Sequence, residues 1–347
     1  VSLAGNAQPY MKQLSYKTIT NTGRGTGSCE LEMRVYKSDI VAQGLRPLIA
    51  LHGGTWAHRG SSFMGLEAGI SQFTERGFIV FAPFYRLVGE SDGNVECNGA
   101  SWHEVTEDVE HALDWVNQNA AALGAVQEPV SLFGQSAGAH LSAWLAANRS
   151  AEVRKALLYY GPTDAMEFLE GAVPSGGPYE SYRRFGLRAL ERLFGAYSDT
   201  SDIDLRQINF AGLTVAQLSA DWATLIPDTV FDLSLADPQA APVYVERCAT
   251  STAIDLGTIN LAMPPAELVS CMKQDLSDFL ISNSFNHQLA SEAVPVSVVH
   301  GSGDTIVPHE QAVELCGAID DSVLAPDAID PLTVYSCGIQ SEIYVVR

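Results

Sequence analysis

The sequence predicts an α/β protein built on a mostly parallel, doubly wound sheet. Three observations carry that prediction. Apolar runs of strand length recur along the chain: PLIALHGG from Pro47, GFIVFAPF from Gly77, PVSLFG from Pro129 and ALLYYGPTD from Ala156. Runs without polar alternation suit strands covered on both faces. The stretches between them carry helical periodicity, and the two kinds of segment alternate in order, as a wound sheet requires.

Each element has its own signature. Cys29 to Tyr36, CELEMRVY, alternates apolar and polar residues and predicts a half-covered strand. Pro47 opens the first core strand, which ends in a glycine turn, and Gly77 to Phe84 is the second. From His103 to Asn119 the spacing predicts a helix. Val105, Val109, Ala112, Leu113 and Val116 share one face, and Glu104, Glu107 and Glu110 lie elsewhere. Pro129 opens a third core strand, which runs directly into GQSAGAHLSAWLAAN, a helix. A fourth core strand follows at ALLYYGPTD. The pattern then breaks into turn signals (SGGP, IPD, ADPQAAP, MPP) among short helical stretches, until PVSVVHG resumes the sheet. This divides the chain into a first core part (1–164), a large late insertion expected to cap one end of the sheet (165–293), and a last core part (294–347). A helix is expected from Pro308 to Gly317, and a final strand at SEIYVVR.

Composition narrows the function. The 347 residues carry 20 Lys and Arg against 41 Asp and Glu, a formal charge of −21. Such a surface repels phosphate backbones and anionic lipid, so neither nucleic acid nor an acidic membrane is an expected partner. No apolar run reaches the roughly 18 residues of a membrane-spanning helix. Six cysteines, Cys29, Cys97, Cys248, Cys271, Cys316 and Cys337, are widely spaced without a CxxC pair. That argues against zinc and for disulfides, hence a periplasmic or secreted protein. Six cysteines allow 15 pairings. Proximity in sequence favours Cys248–Cys271 and Cys316–Cys337.

Three motifs carry chemistry. GQSAG, Gly134 to Gly138, lies between a strand and a helix, where a nucleophile on a strained turn needs small neighbours. Ser136 is the candidate nucleophile. HGGTW, His52 to Trp56, follows a core strand with two glycines that let bare backbone approach a ligand. The amides of Gly54 and Thr55, with that of Ala137, are the candidate oxyanion donors, and Gly53 is a weaker one. HGSGDTIVP, His300 to Pro308, presents Asp304 on a loop at a strand end, where a carboxylate can hold an imidazole in its useful tautomer.

With these motifs the sequence resembles the α/β-hydrolase carboxylesterases, in particular the hormone-sensitive-lipase-like group and its close bacterial relatives. The matching residues are HGGTW at 52–56, YRL at 85–87, EDVEHALDWV at 107–116, GQSAGAHLS at 134–142 and HGSGDTIVP at 300–308. The resemblance implies the α/β-hydrolase fold, a Ser–His–Asp mechanism on small ester substrates, and neither metal nor cofactor. The chain departs from that group in three ways. Thr55 stands where the group has a third glycine, the insertion comes late, and the family's catalytic His follows the last core strand. SEIYVVR looks like that strand, so the base is expected a few residues beyond Arg347, with His309 as the fallback. Of the other imidazoles, His58 and His287 are weaker candidates, and His52, His103, His111 and His140 are expected to be structural or surface residues. The insertion's Tyr179, Tyr182, Phe185, Phe194, Trp222 and Phe231 are expected to fill its own core or to line a pocket. The sequence therefore predicts a serine carboxylesterase. An amidase, peptidase or arylformamidase of the same fold is the alternative, or a non-catalytic binding protein if the base is absent.

Overall fold

Apolar runs bounded by glycine and proline fix where this chain enters and leaves its sheet. The computed structural model describes residues 10–20, 27–38, 43–58, 66–88, 95–165, 168, 248–255, 258, 265–291, 294–301, 304, 306–319, 325–329 and 332–338. Among them run strands β1 (Tyr10–Thr20), β2 (Ser28–Lys37) and β3 (Arg46–Leu51), helix α1 (Leu66–Glu75), β4 (Phe78–Pro83), α2 (Trp102–Asn119), β5 (Val130–Gln135), α3 (Ala137–Asn148) and β6 (Val153–Tyr159). Then come α4 (Ala266–Ser282), α5 (Asn286–Ser291), β7 (Val296–Gly301), α6 (Glu310–Ile319), β8 (Ala325–Ile329) and β9 (Leu332–Gly338).

The strands form one sheet in the order β1-β2-β4-β3-β5-β6-β7-β9-β8. The centre, β4-β3-β5-β6-β7, is parallel. The flanks β1-β2-β4 and β7-β9-β8 are antiparallel. Both faces are covered. Leu48, Ala50, Phe78, Val80 and Phe133 pack with Leu66 and Ile70 of α1, whereas Ile49, Phe81 and Leu132 pack with the apolar sides of α2 and α3. The chain winds from β3 to β4 on one side, then crosses to β5 on the other. Wound sheets open a crevice at such a reversal, beyond the carboxyl ends of the two strands concerned. Here those ends are Leu51 and Gln135, so HGGTW and GQSAG leave the sheet side by side.

The expected core strands and the helix over 103–119 are present. The helix starts one residue earlier, at Trp102. A capping box explains the start: Ser101 Oγ accepts the Glu104 amide at 3.2 Å, and Glu104 Oε2 accepts the Ser101 amide at 2.8 Å. Strands β1, β8 and β9 were not expected. β1 reads YMKQLSYKTIT, with only Tyr16 fully buried among the edge residues Met11 to Thr20, so it offers no apolar run. SEIYVVR lies outside the described residues. So does most of the expected insertion, including all six of its named aromatic residues. Its described end, α4 and α5, lies on the core: Phe279, Phe285 and Leu289 are buried in it, and Asp164 bridges Ser284.

Among the described residues no helix is long and apolar enough to cross a membrane. Disulfides join Cys29 to Cys97 and Cys248 to Cys271. The second is the pair that proximity favoured. Cys316 is disulfide-bonded as well, while the side chain of Cys337 lies outside what is described.

Candidate active site

The site starts with a backbone conformation that side chains avoid. Ser136, between β5 and α3, has φ 52° and ψ −122°. That geometry is strained for any residue but glycine. Its amide donates to the Tyr159 carbonyl at 2.9 Å, and its own carbonyl accepts the amides of Ala139 and His140. The flanking glycines are sterically required. A Cβ on Gly134 would run into the Gly138 carbonyl, and one on Gly138 into the carbonyls of Leu51 and His52. Ser136 thus stands on a sharp bend, partly exposed, with Ala137 opening α3 behind it. The first amides of a helix lack intrahelical acceptors and carry the positive end of its dipole.

The HGGTW turn lies against this bend. A Cβ on Gly53 would sit 2.9 Å from the Gln135 carbonyl and 3.1 Å from Ser136 Cβ. Gly54 has φ 117°, and a side chain there would strike His58. Thr55 and Trp56 hold φ of 53° and 56°, also left-handed. The Gly54 carbonyl closes the turn by accepting the amides of Ala57 (3.0 Å) and His58 (2.8 Å) and the Thr55 hydroxyl (2.7 Å).

Asp304 follows β7, two strands from β5 on the same edge of the sheet. Its Oδ1 accepts the amides of Ile306 (2.9 Å) and Val307 (3.0 Å), and its Oδ2 lies 3.4 Å from His300 Nε2. Partial burial works against the charge. The His300 bond and the two amides outweigh it and hold the carboxyl below its ordinary value. His300 Nε2 also lies 3.0 Å from the Val307 carbonyl, which can only accept, so Nε2 carries the proton.

The other imidazoles face elsewhere. His52 stacks on Tyr85, ring centroids 4.3 Å apart, and is fully buried. His140 is enclosed by Trp56, Trp102 and Phe285 at 5.2–5.3 Å, and burial drives its pKa down to about 3. His58, His103 and His111 are exposed. His309, the fallback base, begins the turn into α6 with Nδ1 3.3 Å from Glu310 Oε2. The side chain of His287 lies outside the described residues. Among the described residues no cluster of His, Cys, Asp and Glu suits a metal ion.

One supporting group was not singled out from the sequence. Arg86 is buried and grips Asp108 with Nε at 2.7 Å and Nη2 at 2.9 Å, and donates to Glu104 Oε1 at 2.6 Å. Lys17 adds a bond to Asp108 at 2.8 Å. This fastens the loop after β4 to α2. The next residues of that loop reach the HGGTW turn, where the Val88 amide donates to the Trp56 carbonyl at 3.0 Å. The signal was present in YRL and EDVEHAL, but only distance reveals the pairing.

Residues 33–197, a little under half the chain, match the BD-FAE family model. No curated protein matches the sequence. Among solved structures, esterase 2 of Thermogutta terrifontis phosphonylated by sarin is 21% identical over 46% of this chain and 56% of its own, with a TM-score of 0.36. A bacterial heroin esterase is 22% identical over 49% and 50%, with a TM-score of 0.37. An arylesterase is 22% identical over 45% and 46%, with a TM-score of 0.34. The chain thus spans about half the length of the solved structures it matches.

Proposed function

We propose that this chain, which has the α/β-hydrolase fold, is a serine hydrolase that cleaves carboxylic esters of small molecules through an acyl-enzyme on Ser136. The observation that carries this reading is the left-handed backbone at Ser136 between two glycines that tolerate no Cβ. A buried helix cap needs no such strain, whereas a nucleophile raised clear of the sheet does. Ser136 Oγ attacks the ester carbonyl and gives its proton to an imidazole. The amides of Gly54, Thr55 and Ala137 receive the negative charge that develops on the carbonyl oxygen. Asp304, kept anionic by its donors, holds the imidazole in the tautomer that accepts from serine. The imidazolium returns the proton to the departing alcohol, and water then releases the acyl group. Among the eight histidines of the sequence, His309 is the fallback for this role.

The test is covalent labelling. A fluorophosphonate probe is expected to modify Ser136, seen by peptide mass, and Ser136→Ala is expected to abolish both the adduct and the hydrolysis of 4-nitrophenyl acetate. A wild-type protein that takes no label sinks the proposal.

A further inference from the structure

Among the described residues, five non-glycines hold positive φ: Thr55, Trp56, Ser136, Tyr160 and Ala253. The first three build the oxyanion turn and the nucleophile bend. Tyr160, at φ 38°, has no part in the chemistry proposed above, yet it stands among the residues that do. It follows the last residue of β6, the strand between β5, which ends at the nucleophile, and β7, which ends at the Asp304 loop. Its neighbour's carbonyl, at Tyr159, accepts the Ser136 amide, and its own amide donates to the Val299 carbonyl at 2.9 Å. Hydrogen bonds to both flanking strands therefore hold the strained residue in place. The left-handed step also breaks the in–out alternation of a strand, so Tyr159 and Tyr160 are both half-buried at the open edge.

A glycine would adopt this conformation without strain, so the strain at Tyr160 calls for a physical reason, and the ring supplies one. The Tyr160 phenol has no hydrogen-bond partner among the described residues, and it lies within electrostatic reach of Asp304. Burial, reinforced by the Asp304 charge, raises its pKa, so it remains an O–H donor at every working pH. The site has a use for a neutral donor here. An alkoxide leaving beside an anionic carboxylate is opposed by that charge, and a protonated phenol on the same side offsets it.

We propose that Tyr160 is a further substrate-contacting residue, whose O–H donates to the departing oxygen of esters of ordinary aliphatic alcohols. This rests on the esterase reading of Ser136. The phenol gives a hydrogen bond and transfers no proton; the leaving oxygen takes its proton from the imidazolium.

The experiment compares the full chain with Tyr160→Phe, which keeps the ring and removes one oxygen. Three measurements are made: fluorophosphonate labelling of Ser136, in which no alcohol leaves; hydrolysis of 4-nitrophenyl acetate, whose leaving group is already stable; and hydrolysis of ethyl acetate. Labelling and 4-nitrophenyl acetate hydrolysis are expected to stay within about twofold, with Tm unchanged. The kcat/KM for ethyl acetate is expected to fall about tenfold, the size of one lost hydrogen bond to developing charge. Equal losses on both esters, or no loss on either, overturn the proposal. If the wild-type chain takes no label, the esterase reading itself fails and this inference falls with it, an outcome distinct from a labelled enzyme that is indifferent to Tyr160→Phe.

Discussion

At single positions the decisive quantity is space. Gly138 packs where a Cβ would overlap the Leu51 and His52 carbonyls, which are backbone and cannot swing aside. Gly138→Ala is therefore expected to lower stability by about 2 kcal/mol, within the range for overpacked sites, and to remove labelling of Ser136 by pushing α3 off β3. Denaturant midpoints and peptide mass check the two effects. This glycine was legible in the sequence because GQSAG occurs between a strand and a helix. Arg86 and Tyr160 were not legible, because an arginine in YRL and a tyrosine at a strand end look ordinary until Asp108 and Asp304 are found beside them. His140 shows a titration that follows from burial. Enclosed by three aromatic rings, it stays neutral down to about pH 3 in the folded chain, whereas an unfolded histidine protonates near 6.5. Its folded value is depressed, so its contribution to stability is intact above about pH 6.5 and is lost as pH falls towards about 3. His140→Phe is expected to lose less stability than wild type between about pH 7 and about pH 4.5, measured as the shift in urea midpoint; equal shifts would contradict a buried neutral imidazole.

Whole elements are held by a few buried connections, and here charge outweighs contact area. Asp108 lies on α2 fully buried, and accepts from Arg86 side chain and backbone and from Lys17 of β1. Removing one partner strands the other charges in a dry place, which costs about 3–5 kcal/mol. Asp108→Asn is expected to show a loss of that order in guanidinium unfolding. Arg149→Gln, which removes partly exposed pairs to Asp114 and Glu152, is expected to cost under about 1 kcal/mol. The same contrast explains which elements the sequence declared. β3, β4, β5 and β6 lie in the covered centre of the sheet, and each carries a buried apolar stretch, so their runs stand out. β1 and β8 are the edges, with one neighbouring strand each, so they need no such run and pass for loop.

Over the whole molecule, the question is what couples the site to the frame, and the Cys29–Cys97 bond is one such coupling. It joins β2 to the turn at Val95–Cys97, closing 68 residues that contain β3, α1, β4 and the HGGTW turn. Both sulfurs are buried. On the chain-entropy account a loop of that length stabilises by about 4 kcal/mol, against about 3 kcal/mol for the 23-residue loop of Cys248–Cys271. The first bond has a second consequence. The Cys97 carbonyl accepts the Leu87 amide at 2.9 Å, the Leu87 carbonyl accepts Ala100, and the adjacent Val88 amide holds the Trp56 carbonyl. The disulfide is therefore three short steps from the left-handed pair Thr55–Trp56. Bonded cysteines also fit an oxidising compartment, where both links persist. A double variant Cys29→Ala/Cys97→Ala is expected to lose stability and, at temperatures where it is still folded, to react more slowly with the fluorophosphonate probe. Cys248→Ala/Cys271→Ala is expected to lose stability without slowing the label. The comparison separates the two roles, since a purely global effect would track the unfolding free energy in both variants alike. A slower label in the first variant alone would tie the disulfide to the HGGTW turn through Leu87 and Val88.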